Sequence, residues 1–220
     1  MNRSMNRTMI AVVAGGASLG GLGLLGAWSS GEDSVEAREM VFETRAGERL
    51  YEPDPTHTSV VFKIRHGGVA NFYGRFNDMT GEVHFDAASP ADSRMAFTVR
   101  TASIDTNNNS RDGHLKAADF FNSRQFGTIE FKSTGITKSG MGYEMTGDLT
   151  LQGETRAITA RLDGFTAANF MDTDRLGFEA RFKINRSEFG MTKYLASDGG
   201  EGGALGNVVE LIVAVEAIAE

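Results

Sequence analysis

Residues 59–66 read Ser-Val-Val-Phe-Lys-Ile-Arg-His, with Val60, Phe62 and Ile64 on one parity and Val61, Lys63 and Arg65 on the other. In a strand successive side chains point to opposite faces, so this spelling gives one apolar face and one largely charged face. The same period recurs down the chain. Val83 and Phe85 alternate with Glu82, His84 and Asp86, and Met95, Phe97 and Val99 alternate with Arg94, Thr98 and Arg100. Ile129 and Phe131 stand opposite Glu130 and Lys132, while Tyr143, Met145, Leu149 and Leu151 stand opposite Glu144, Thr146, Asp148 and Gln152. Ile158, Ala160 and Leu162 follow, then Leu176, Phe178, Phe182 and Ile184, then Val209, Leu211, Val213 and Val215.

Asp86-Ala-Ala-Ser-Pro90, Ser139-Gly140, Gln152-Gly153 and Asp163-Gly164 supply turn chemistry between these runs. About eight one-sided strands joined by short turns predict an all-β, antiparallel meander that buries its apolar face either as a sandwich or by closing into an eight-stranded barrel, and closure also removes exposed edges. A barrel of that size is either filled by its own side chains or holds one small ligand. The exception is Arg111–Phe121, read as a short lid helix that Asp112 caps and whose Leu115, with Phe120 or Phe121, covers one mouth.

Composition agrees with a single domain. The chain has 220 residues, 27 glycines and 3 prolines, and each glycine inside a helix would cost roughly 0.8–1 kcal/mol against alanine. Its net charge is -7, and beyond Arg3 and Arg7 the chain carries 20 basic against 29 acidic groups, which disfavours nucleic acid as a partner. The absence of cysteine excludes disulfides, thiolate catalysis and Cys-zinc sites.

Arg3 and Arg7 precede an uncharged run ending in small residues near Ala27–Ser29, the pattern of a signal peptide over residues 1–29; an uncleaved N-terminal anchor is the rival. Residues 30–49 read as a charged linker and 50–220 as the barrel. Gly16-x-Ser18-x-Gly20 and Gly21-x-Gly23-x-x-Gly26 match nucleophile and dinucleotide patterns. Neither has the strand–turn–helix context that such motifs need.

Several stretches resemble the polyisoprenoid-binding YceI-like family: Asp54-Pro-Thr-His57-Thr-Ser59 with Phe62 and His66, Gly74-Arg-Phe76, and Phe85-Asp86. Ser103-Ile-Asp-Thr106 with Arg111-Asp-Gly-His-Leu115 and Asp119-Phe-Phe121 is the most specific of them. Phe131-Lys-Ser133, Gly147-Asp-Leu-Thr150 and Arg186-Ser-Glu-Phe-Gly190 continue the pattern. The chain departs from it at Gly127-Thr128, where the family usually has a proline, and in the loop Gly199–Gly203. The resemblance implies a lipocalin-like barrel exported to the periplasm and holding an isoprenoid or similar long lipid; it does not imply a shared catalytic set. The signal peptide equally allows a secreted protein, and no cofactor is expected, while a bound lipid stays open. The alternatives to a carrier are a filled-barrel stress-response or interaction module, and an enzyme or redox partner acting on a bound quinone. For the latter the sequence supplies no nucleophile with its base, metal cluster or cofactor fingerprint.

The ligand wall would then comprise Phe62, Ile64, His66, Phe76, Phe97, Val99, Phe120, Phe121, Phe131, Met145, Phe178 and Phe182. Arg111, His114, Arg186 and Lys193 are candidates to hold a polar headgroup, since guanidinium binds phosphate oxygens in pairs. For Arg111 the competing role is pairing with Asp112 or capping the lid helix. His84, on the charged face, is expected in solvent, and no histidine shows the spacing or carboxylate partner of a metal site. Asp172-Thr-Asp174 offers too few ligands for calcium. Transient membrane contact and a homodimer stay open, as does the glycine-rich stretch Ser197–Gly206 as a gate.

Overall fold

In the computed structural model, which describes residues 42–200 and 202–220, the alternating segments form one antiparallel sheet that closes on itself. The strands are β1 (Glu48–Pro53), β2 (Ser59–His66), β3 (Ala70–Phe76), β4 (Met79–Asp86), β5 (Arg94–Arg100), β6 (Ile104–Asp105), β7 (Thr128–Ser139), β8 (Gly142–Leu151), β9 (Glu154–Phe170), β10 (Thr173–Asn185) and β11 (Leu205–Ala219). Eight of them close the ring in the order β1-β4-β5-β7-β8-β9-β10-β11, with β11 returning to β1 through Tyr51↔Ala219 and Pro53↔Ala217.

Nearer its start, β11 pairs with β2 instead, from Val209↔Ile64 to Ala214↔Ser59, and β3 and β6 follow β2. Thus β1 and β2 act as one strand interrupted at residues 54–58. The interruption has a local cause. Pro55 cannot donate to the ladder, and Asp54 Oδ1 accepts from the Thr56 N–H at 2.9 Å and from Thr56 Oγ1 at 2.7 Å, closing a tight turn.

The helix is shorter and earlier than predicted. α1 spans Asn109–Leu115, and its N-cap is Asn108, whose side chain accepts from the Arg111 N–H at 3.0 Å. Asp112 is buried and turned to Thr106, accepting from its N–H at 2.9 Å and from its Oγ1. Phe120 and Phe121 lie in the turns that follow the helix.

Two other expectations give way. β1 begins at Glu48, two residues inside the segment read as linker. Asp163-Gly164 is a bulge within β9 rather than a turn between strands. Asp163 pairs with Glu179 and Thr166 with Gly177, so β9 carries one extra residue, and Gly164 takes a φ of +80°. The reversal comes instead at Met171-Asp172, where φ is 52° and 60°, the both-positive signature of a tight hairpin turn. The reading of residues 1–29, with the two discounted glycine motifs, lies outside the described residues.

Candidate functional site

Two glycines explain why large rings fit inside the wall. A Cβ on Gly74 would stand 2.3 Å from the Phe62 ring, and one on Gly147 would stand 2.3 Å from the Phe131 ring. Each of these two phenylalanines therefore lies over a glycine of the neighbouring strand, an arrangement that a methyl group would break.

The interior divides into two levels along the strands. On β10, Phe178, Ala180, Phe182 and Ile184 border a cavity, whereas Leu176 is fully packed; on β11, Val209, Leu211 and Val213 border it, and Val215 and Ala217 are packed below. The same break falls on β5 between Phe97 and Met95 and on β9 between Ile158 and Ala160. One half of the barrel is therefore filled by side chains. The other half encloses a cavity of about 370 Å³, within the usual range of ligand pockets of roughly 300–1,000 Å³.

The cavity lies toward the end where β8 and β10 finish and β7 and β11 begin. Leu115 of α1, Phe120, Phe121, Met191 and Leu205 help enclose it there. Ring contacts bind this cover to the wall: Phe62 to Phe76 at 5.9 Å and Phe76 to Phe121 at 5.4 Å.

All twelve residues named from sequence as the wall border the cavity: Phe62, Ile64, His66, Phe76, Phe97, Val99, Phe120, Phe121, Phe131, Met145, Phe178 and Phe182. The sequence reading omitted Phe72 and Met191. Phe72 lies on β3 with the inward parity of Gly74 and Phe76, opposite Asn71, Tyr73 and Arg75, so the period of two points to it, whereas Met191 lies in a loop, where no period exists to follow.

The four headgroup candidates separate. Arg111 borders the cavity with its guanidinium 4.5 Å from the Phe72 ring; its Nε donates to Thr106 Oγ1 at 2.8 Å and its Nη2 to Thr106 O at 2.7 Å. Arg111 and Asp112 thus converge on Thr106 rather than pairing with each other. Arg186 also borders the cavity, but it is buried and donates to the carbonyls of Met191 at 2.7 Å, Gly206 at 2.8 Å and Leu205 at 3.3 Å. His114 is off the wall, edge-on to Phe120 at 5.1 Å. Lys193 pairs with Asp119 at 2.9 Å, and that contact holds the Asp119 carboxyl below its ordinary range.

The histidine readings need correction. His84 is buried, not solvated: Phe42 lies edge-on over it at 5.7 Å, and Glu82 and Glu48 stand 3.5 and 3.7 Å from its ring nitrogens. His57, too, has a carboxylate partner, Asp54 Oδ2 at 2.8 Å, and Glu216 completes a group of metal-ligand types. A cation is already supplied there by the chain. Arg175 Nη1 donates to Asp54 Oδ2 at 3.1 Å and to Glu216 Oε1 at 2.5 Å. The Thr56 hydroxyl, then His57 and the Thr56 N–H, hold the Asp54 carboxyl far below its ordinary range, with Arg175 adding to them against the cost of burial. At the other acidic loop Asp174 is engaged by Arg49 and by Asn169 Nδ2 at 2.7 Å.

Comparison with known proteins matches this architecture. Residues 51–217 match the YceI-like domain. A UPF0312 protein of Ectopseudomonas mendocina is 38% identical over 170 residues, covering 74% of this chain and 82% of that protein. Protein YceI of Escherichia coli O6:H1 is 37% identical over 164 residues, with 74% and 82% covered. Among solved structures, a polyisoprenoid binding domain from Saccharophagus degradans implicated in plant cell wall breakdown superposes with a TM-score of 0.57 at 14% identity, covering 77% of this chain and 98% of that one, a likeness of fold. By its domain match and its relatives, the chain belongs to the YceI-like family.

Proposed function

We propose that this protein is a lipid carrier whose cavity takes the tail of a long isoprenoid, polyprenyl or quinone in type, with the polar end at the mouth. The observation that carries this reading is the enclosed apolar half-barrel. Its wall is built from Phe, Ile, Val, Leu and Met, and its polar side chains, among them His66, Asn71 and Arg111, belong to the mouth. Each CH₂-sized group buried there contributes about 0.8 kcal/mol, so roughly ten of them supply about 8 kcal/mol before the cost of immobilisation. Arg111 uses Nε and Nη2 on Thr106, which, among the described residues, leaves Nη1 for an anionic or carbonyl headgroup. The polyisoprenoid binding domain with the same fold supports the choice of ligand class. The reading assigns no chemistry to the bound molecule.

Export belongs to the same proposal, supported by the basic, then uncharged, first 29 residues. Fractionation of cells expressing the full chain, with the protein outside the cytoplasm as the expected result, checks it.

Native mass spectrometry with organic extraction, on protein made in a bacterium with its leader intact, tests the ligand. A bound species of prenyl-lipid mass is the expected result. Protein that emerges empty and takes up no added prenyl lipid favours a barrel serving only as a structural or interaction module.

A further inference from the structure

The floor between the two levels of the barrel is aromatic, and its construction bears on which chains fit. Phe178 borders the cavity. Directly behind it stands Phe165, 5.3 Å away between ring centres, which does not border the cavity itself. Phe165 in turn stacks on Phe85 at 5.2 Å with 22° between the rings, and meets Tyr143 edge-on at 5.6 Å.

Phe165 is in this position because of the bulge. Ala160 and Leu162 are buried in the barrel, so strict alternation would send residue 164 inward and Phe165 outward. The extra residue at Gly164 shifts the parity by one and packs Phe165 against the core.

We infer that Phe165, backing Phe178, is the residue that sets the length of apolar chain the barrel accepts. The inference rests on the lipid-carrier reading and adds a specificity determinant to it. The geometry favours one residue over the whole plug. Met95, Leu162 and Leu176, which fill the packed level around it, are fully buried, and removing any of them damages the core. Phe165 is only partly buried, and its removal leaves space beneath the single ring that separates it from the cavity.

The test uses the full chain and a prenyl alcohol series: geraniol, farnesol, geranylgeraniol and solanesol. Relative affinities come from competition in native mass spectrometry, for the wild type, Phe165→Ala and Phe165→Leu, with thermal unfolding as the folding control. For the wild type, affinity rises along the series and stops rising at one member. In Phe165→Ala the stop moves to a longer member, with about a fourfold gain for each methylene newly admitted. Phe165→Leu moves it less in the same direction, and carries the test alone if the alanine variant does not fold. A stop that stays in place in a folded variant that still binds overturns the inference and leaves the carrier reading intact. A wild type that binds no member of the series overturns both.

Discussion

Asp54 and Arg175, 121 residues apart in sequence, meet at 3.1 Å where the interrupted first strand passes β10. Asp54 is the hub of that corner, since the same carboxylate accepts from Thr56 and His57. Its carboxyl is held below the ordinary range in the folded state. Above the unfolded value of roughly 4 the group is ionised in both states and its stabilisation is fully present; as pH falls through that value toward the folded one, the unfolded chain takes the proton first and the stabilisation is lost. Asp54→Asn is therefore expected to flatten the acid limb of the stability-versus-pH curve below about pH 4, and to cost about 1–3 kcal/mol at neutral pH by weakening buried hydrogen bonds. Denaturant melts at a series of pH values check both effects.

The two levels of the barrel respond differently to truncation. Leu162 is fully packed, so Leu162→Ala leaves a void and costs about 2–5 kcal/mol. Phe182 already faces open space, so Phe182→Ala costs less stability but lowers affinity for a prenyl alcohol by about tenfold. Paired denaturant and binding titrations separate the two; equal losses of stability would contradict the division.

Arg186 holds the base of the long connection between β10 and β11 by donating to Met191, Leu205 and Gly206 carbonyls. Lysine cannot reproduce that planar fork. Arg186→Lys is expected to cost about 1–3 kcal/mol and to speed amide exchange across residues 190–206 more than across the Gln152-Gly153 turn. Hydrogen exchange followed by mass spectrometry measures this directly.

Phe42 anchors the segment before β1. Its N–H donates to Glu82 Oε1 at 2.7 Å, and the cationic groups of Arg94 and Lys132 each stand 4.7 Å from its ring. Phe42→Ala is expected to remove about 1–2 kcal/mol of such contacts and to hasten tryptic cleavage after the exposed Arg45. Digestion time courses show the change.

Strand identity and cavity wall were legible because both follow from one rule, the period of two, in segments such as 59–66 and 176–184. The rule failed where the backbone departs from it. Phe165 reads as outward until the extra residue at Gly164 is known, and Met191 lies in a loop that has no period to follow. His84 was misread because its outward face is covered by Phe42, a residue more than forty positions away, and such long-range cover leaves no local trace. Arg186 looked like a ligand group because a guanidinium that binds phosphate and one that binds three carbonyls have the same spelling. The Asp54 hub was hidden for the same reason: its partners Arg175 and Glu216 arrive from distant strands.

The most direct test of a ligand in the open half of the barrel is methyl NMR during titration with farnesol. Shifts at Ile64, Ile184, Leu211 and Val213, with Leu162 and Leu176 largely unmoved, are the expected result. Unchanged cavity methyls at saturating farnesol, or shifts confined to residues outside that half, would contradict it.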